Sequence, residues 1–158
     1  MSKIIQSAIK DNHQRGTVGN FINEHLSEGC FLSFVSAYFT IYAYQHLKNK
    51  LDNIHSLRLL FGEPRFTSQI DPKTDKKQFQ IEDEKLIIPI QNRLTQSRIA
   101  FDCANWIKEK CEIKSMVKPN FLHGKMYHIK SANGNEKAIL GSSNFTVNGL
   151  GFSNTPNI

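Results

Sequence analysis

The stretch CFLSFVSAYFTIYAYQHLKNKLDNIHSLRLLFG, Cys30 to Gly62, constrains the fold more than any other part of the chain. It opens with an apolar run rich in aromatic residues, CFLSFVSAYFT, which reads as a buried strand. IYAYQHLKNKLDNI follows with helical spacing and sets Ile41, Tyr44, Leu47 and Leu51 on one stripe. SLRLLFG is a second short apolar run that stops at Gly62. Parallel strands need a long crossover, usually a helix. Strand, helix, strand at this spacing therefore predicts a parallel βαβ unit and an α/β domain. The fifteen residues from Cys30 to Tyr44 are the most apolar in the chain. They fall short of the roughly 20 needed to span a bilayer, so no membrane partner is expected.

The flanking segments fill out such a domain. VGNFINEHLSEG spaces Phe21, Ile22 and Leu26 helically, with Gly29 at the expected C-cap. EPRFTSQIDPKTDKKQFQ is polar, contains Pro64 and Pro72, and reads as an exposed loop. EDEKLIIPIQNRLTQSRIAFDCANWIKEK reads as mainly helical, with Pro89 at a kink or in a first turn. Leu94, Arg98, Phe101 and Ile107 mark the face expected against the sheet. CEIKSMV alternates like a strand. A mixed β-sheet flanked by helices, in one domain over residues 1–158, is the expected architecture.

Charge narrows the partners. Twenty Lys and Arg stand against fourteen Asp and Glu, a formal net charge of +6. That balance favours phosphate-rich partners. The three cysteines are odd in number and have no CxxC spacing. This speaks against a disulfide framework or a zinc site and fits a reducing, cytoplasmic setting. No metal and no cofactor is expected.

The chemistry lies in LHGKMYHIKSANGNEKAILGSSNFT, Leu122 to Thr146. FLHGKMYHI and KAILG have strand character, and Asn133-Gly134 between them is a hairpin signal. A turn centred on that pair sets His123 opposite Asn144 and Lys125 opposite Ser142. Residues two apart on a strand share a face, and opposed Cβ atoms lie about 4.5–5.5 Å apart. An imidazole, an ammonium, a hydroxyl and an amide would then gather without a carboxylate. Such a set suits an anion, and phosphate above all. His128 is an odd number of positions from His123 and points to the other sheet face. His13, His25, His46 and His55 have no partner at a telling spacing.

His123-Gly124-Lys125 followed by Gly141-Ser142-Ser143-Asn144 resembles the HxK…GSxN signature of the phospholipase D superfamily. The wording is similar to its nuclease-like branch, found at the front of some bacterial helicases and in restriction-type nucleases. The family pattern places Asp where this chain has Lys130. Glu63 is a candidate for the missing supporting carboxylate. The resemblance implies a phospholipase D-like half-domain with a catalytic β-hairpin, hydrolysing DNA phosphodiesters without metal. His123 would be the nucleophile and form a phospho-histidine. Lys125 and Asn144 would hold the non-bridging oxygens, and Ser142 would add a hydrogen bond to the phosphate. A second motif His normally protonates the leaving oxygen. His-x-Lys recurs at His46-Leu47-Lys48 and His128-Ile129-Lys130, but the chain has one GSxN run, Gly141 to Asn144, and so is read as carrying one copy of the signature. The resemblance therefore implies a homodimer that completes the site, and a helicase or nuclease region beyond residue 158. The alternative is a DNA- or phosphate-binding module of a helicase or restriction system with little turnover.

Overall fold

Three threonines start three helices. The Oγ1 of Thr17, Thr40 and Thr146 accepts the N–H of Asn20, Ala43 and Gly149, opening α1 (Val18–His25), α2 (Ile41–Leu51) and α4 (Val147–Leu150). Each bond satisfies one of the donors that a first helical turn leaves without a partner. The computed structural model describes residues 9–61, 90–116 and 123–152, the side chains of 90–93 excepted. The remaining elements are β1 (Phe31–Ser36), β2 (Ser56–Phe61), α3 (Ile90–Lys110), β3 (Cys111–Ser115), β4 (Lys125–Lys130) and β5 (Glu136–Gly141).

The strands form one five-stranded mixed sheet in the order β3-β2-β1-β4-β5. β1 pairs parallel with β2, and β2 with β3, while β4 runs antiparallel to both β1 and β5. The protein is thus α/β, with the expected parallel unit at its centre. The crossovers through α2 and α3 step in the same direction across the sheet. Right-handed connections then bring both helices to one face. The Trp106 indole N–H on α3 donates to Leu51 O at the end of α2, 2.8 Å away.

That face carries the core in rows set by the register. Leu57, Leu32 and Ile129 form one row, and Leu59, Phe34 and Tyr127 the next, all buried. Phe145 stacks behind the second row, against Phe39 at 5.2 Å and Phe34 at 5.7 Å. The third row changes character. Ser36 pairs with Phe61 on one side. One position beyond the last β1–β4 pair, its other neighbour is Lys125. Ser36 and Lys125 are the buried polar residues of the described chain. The apolar face therefore ends in a polar corner at the C-terminal end of β1.

The structure departs from the sequence expectation at several points. β1 stops at Ser36, not Thr40, because Thr40 is taken as the cap of α2 and the Ala37 N–H is turned toward Asn144. α1 is capped at Leu26. Gly29, at φ 73°, belongs instead to the turn before β1 and donates its N–H to Asn53 O. On α3 the packed face runs through Cys103, Trp106 and Ile107. Leu94 and Phe101 are 73% and 67% exposed, and Arg98 is exposed too. Both stripes have apolar residues at helical spacing, so periodicity could not separate them. Trp106 decides it, because it has the largest ring to bury and an acceptor for its N–H. Glu63, Pro64, Pro72, Pro89 and the polar loop lie outside the described residues. Among the described residues, no helix is long and apolar enough to cross a membrane.

Candidate anion-binding site

The hairpin forms, but in a different register. Lys125 pairs with Gly141, Tyr127 with Ile139 and Lys130 with Glu136. Ser131 and Asn135 close the loop, since the Ser131 N–H donates to Asn135 O. Three residues remain between them, with Gly134 at φ 88° and its N–H on Ser131 O. A two-residue type I′ turn would need positive φ at Asn133 as well, and Asn133 does not have it. The odd loop length shifts the ladder by one residue. Gly141, not Ser142, is therefore set beside Lys125, and Ser142 falls beyond the ladder.

Four residues named from the sequence thus take different positions. His123 precedes β4 and its side chain is exposed, with no hydrogen bond to the imidazole among the described residues. Lys125 is 4% exposed, and its Nζ donates to His123 O at 2.7 Å. No ion pair reaches it among the described residues. Ser142 is exposed in the bend after β5. Asn144 does not face His123 across the ladder. It turns onto the end of β1, where its Oδ1 accepts the N–H of Ala37 at 3.0 Å and of Tyr38 at 3.3 Å.

The segment after β5 is held there on several sides. Phe39 and Phe145 make a parallel bridge, and Thr40 N–H donates to Phe145 O. The Phe145 N–H donates to Ser36 Oγ at 2.9 Å. The Tyr127 hydroxyl donates to Ser143 O at 2.6 Å, and burial raises its pKa although Ser36 opposes the shift. Asn12 takes its N–H2 to Gly149 O, at 2.8 Å, and its Oδ1 to the Val18 N–H. Gly149 packs so closely that an added Cβ would collide with the Asn144 carbonyl. This rigid corner joins the ends of β1 and β5 to the start of β4.

Lys130 lies at the far end of β4, roughly 17 Å along the strand from Lys125 at 3.4 Å per residue. It pairs across the ladder with Glu136 at 3.5 Å, and His128 Nε2 meets the same carboxylate at 3.1 Å. The hydrogen bond from His128, then that from Lys130, holds the Glu136 carboxyl below its usual range. An ion pair thus supports the hairpin end. His128 lies on the sheet face away from Lys125, as its spacing predicts. The other described histidines meet aromatic rings or turn backbone. His25 meets Phe21, His46 meets Phe152 and His55 meets Phe31, while His13 bridges Gly16.

Among the described residues, other polar groups are gathered between α2 and α3. A cleft of about 210 Å³ between α2 and α3 is lined by Tyr44, Lys48, Asp52, Asp102 and Trp106. Lys48 there pairs with Asp52 at 2.7 Å and with Asp102 at 3.8 Å, and Lys110 donates to Ile54 O at 3.0 Å. Burial pushes the Cys103 and Cys111 thiols up to about 12, which keeps them protonated and unreactive. Ser36 and the Ala37–Tyr38 backbone have no signal in local spacing. They reach the site only through pairing more than 100 positions away in sequence.

Neither a protein-family model, nor a curated protein, nor a solved structure matches this chain to a significant degree.

Proposed function

We propose that the corner formed by His123, Lys125 and Asn144 binds the phosphate of a nucleic-acid backbone, DNA most of all, and hydrolyses it through a phospho-histidine. One observation carries the reading. Lys125 is a buried cation whose Nζ, with three protons to donate, has a single backbone carbonyl and no carboxylate among the described residues. Burying a charge without a partner costs several kcal/mol, so an anion is the natural complement. The exposed His123 stands two residues away at the mouth of the same corner. In that position it would attack phosphorus, with Lys125 opposing the charge that develops on the oxygens. The net charge of +6 suits such a partner. A cytoplasmic location and a helicase or nuclease region in the same polypeptide belong to this reading through the resemblance.

Ser142 is the weakest member of the set, because it lies beyond the ladder in the exposed bend after β5. A second reading, a phosphate-binding module without turnover, is favoured by the His123 imidazole. An activated nucleophile is normally oriented by a partner group, and none reaches it among the described residues. Incubation with single- and double-stranded DNA in EDTA, native protein beside His123→Ala, separates the readings. Cleavage that survives EDTA and disappears in the variant is expected. Binding without cleavage leaves the module, and cleavage that persists in His123→Ala removes the proposed nucleophile.

A further inference from the structure

Asn144 can serve an anion only through its NH2, and an Asn amide can be turned either way. Here the backbone removes the choice. The N–H groups of Ala37 and Tyr38 both point at one amide atom, which must therefore be the acceptor Oδ1. The NH2 is then turned away from the β1 end, and among the described residues nothing accepts from it. It is left as a spare donor, next to the row that holds Lys125.

The bend that aims these two N–H groups is fixed by Ser36. Its side chain is fully buried. Its Oγ lies 2.7 Å from Tyr38 O, 2.9 Å from Phe145 N and 3.4 Å from Asn144 Oδ1. A hydroxyl has one proton, and the shortest contact takes it, so Oγ donates to Tyr38 O. Its lone pairs accept the Phe145 N–H. One hydroxyl thus ties the turn that holds Oδ1 to the residue that follows Asn144. Both ends of the amide's support pass through Ser36.

We propose that Ser36 is a positioning residue. It sets the Ala37–Tyr38 turn so that Asn144 presents its NH2, never its carbonyl, to the anion held by Lys125. The inference rests on the anion-site reading above and adds the device that orients one of its donors. It also accounts for a fully buried serine in a row where the rest of the β1 core face is apolar.

The test is an NMR titration of the full chain with inorganic phosphate. It follows the Asn144 side-chain amide, the Lys125 signals and the Ala37 and Tyr38 backbone amides. In native protein the Asn144 NH2 and Lys125 should shift together, while the Ala37 amide stays put. Asn144→Asp keeps an acceptor for Ala37 and Tyr38 but loses the donor and adds a negative charge. It should fold, hold the Ala37 amide in place and bind phosphate at least about tenfold more weakly. Ser36→Ala should weaken phosphate about two- to tenfold and abolish the distinct response of the Asn144 NH2. Ser36→Thr, which keeps the hydroxyl, should restore it. A lower melting temperature alone would not produce that pattern. A Lys125 response without one at the Asn144 NH2 overturns the inference and leaves the anion site standing, as does a Ser36→Ala response identical to native. No phosphate response at Lys125 overturns the anion-site reading, and the role given to Ser36 with it.

Discussion

Lys125 shows how far a single residue could be read from sequence. Its type and its spacing from His123 pointed to an anion. Its burial did not follow from either, since a lysine at the start of a strand is ordinarily solvated. The burial comes from the row it joins, beside Ser36 and below Tyr127, and that row is made by pairing distant in sequence. On the proposed reading, a buried ammonium with one carbonyl acceptor is held for an anion, at a cost to the fold. Lys125→Met keeps the stem and removes the charge. Its unfolding free energy in urea should be unchanged or higher by about 1 kcal/mol, while stabilisation by added phosphate should disappear. A marked loss of stability in this variant would mean that Lys125 has a structural partner, and the anion-site argument would lose its premise.

At the scale of the element, the hairpin was legible and its register was not. Asn133-Gly134 marks a turn in either register. Loop length decides which residues meet, and loop length is not written in the dipeptide. The strands themselves give little help, because β5 is mostly exposed and has no alternation to lock it. The long helix α3 failed in the same way, with two apolar stripes and only tertiary contact to choose between them. Gly134, at φ 88°, is what permits the three-residue loop. Gly134→Ala forces an L residue into the left-handed region and should cost about 1–2 kcal/mol in thermal or urea unfolding. An alanine there that costs nothing would show that the loop can change type. The Lys125–Gly141 register would then have lost its anchor.

For the whole molecule, the α/β class was legible because one segment, Cys30 to Gly62, imposes a parallel crossover wherever it folds. The composition of the site was legible in part, since His123, Lys125 and Asn144 stand out by type. The way they are assembled was not, because Asn144 is placed by the end of β1 and not by its hairpin partner. The same arrangement bears on assembly. His123 is exposed at the rim of the corner, and the two other His-x-Lys triplets lie elsewhere, His46 against Phe152 and His128 on Glu136. Transfer through phospho-histidine needs a second group to protonate the leaving oxygen, and no other described His lies in this corner. A second copy related by a two-fold axis through the phosphate would supply it, with the same patch serving both chains. Two Lys125 residues would then share one anion, so the stoichiometry becomes the signature. Titration calorimetry with inorganic phosphate should give one phosphate per two chains, and sedimentation at micromolar concentration should give a dimer that phosphate strengthens. The repulsion between the two ammonium groups predicts that the dimer weakens when phosphate is removed. A strict monomer that binds one phosphate per chain would rule out the shared site. The corner would then be a complete cradle in itself, and the binding module the better reading.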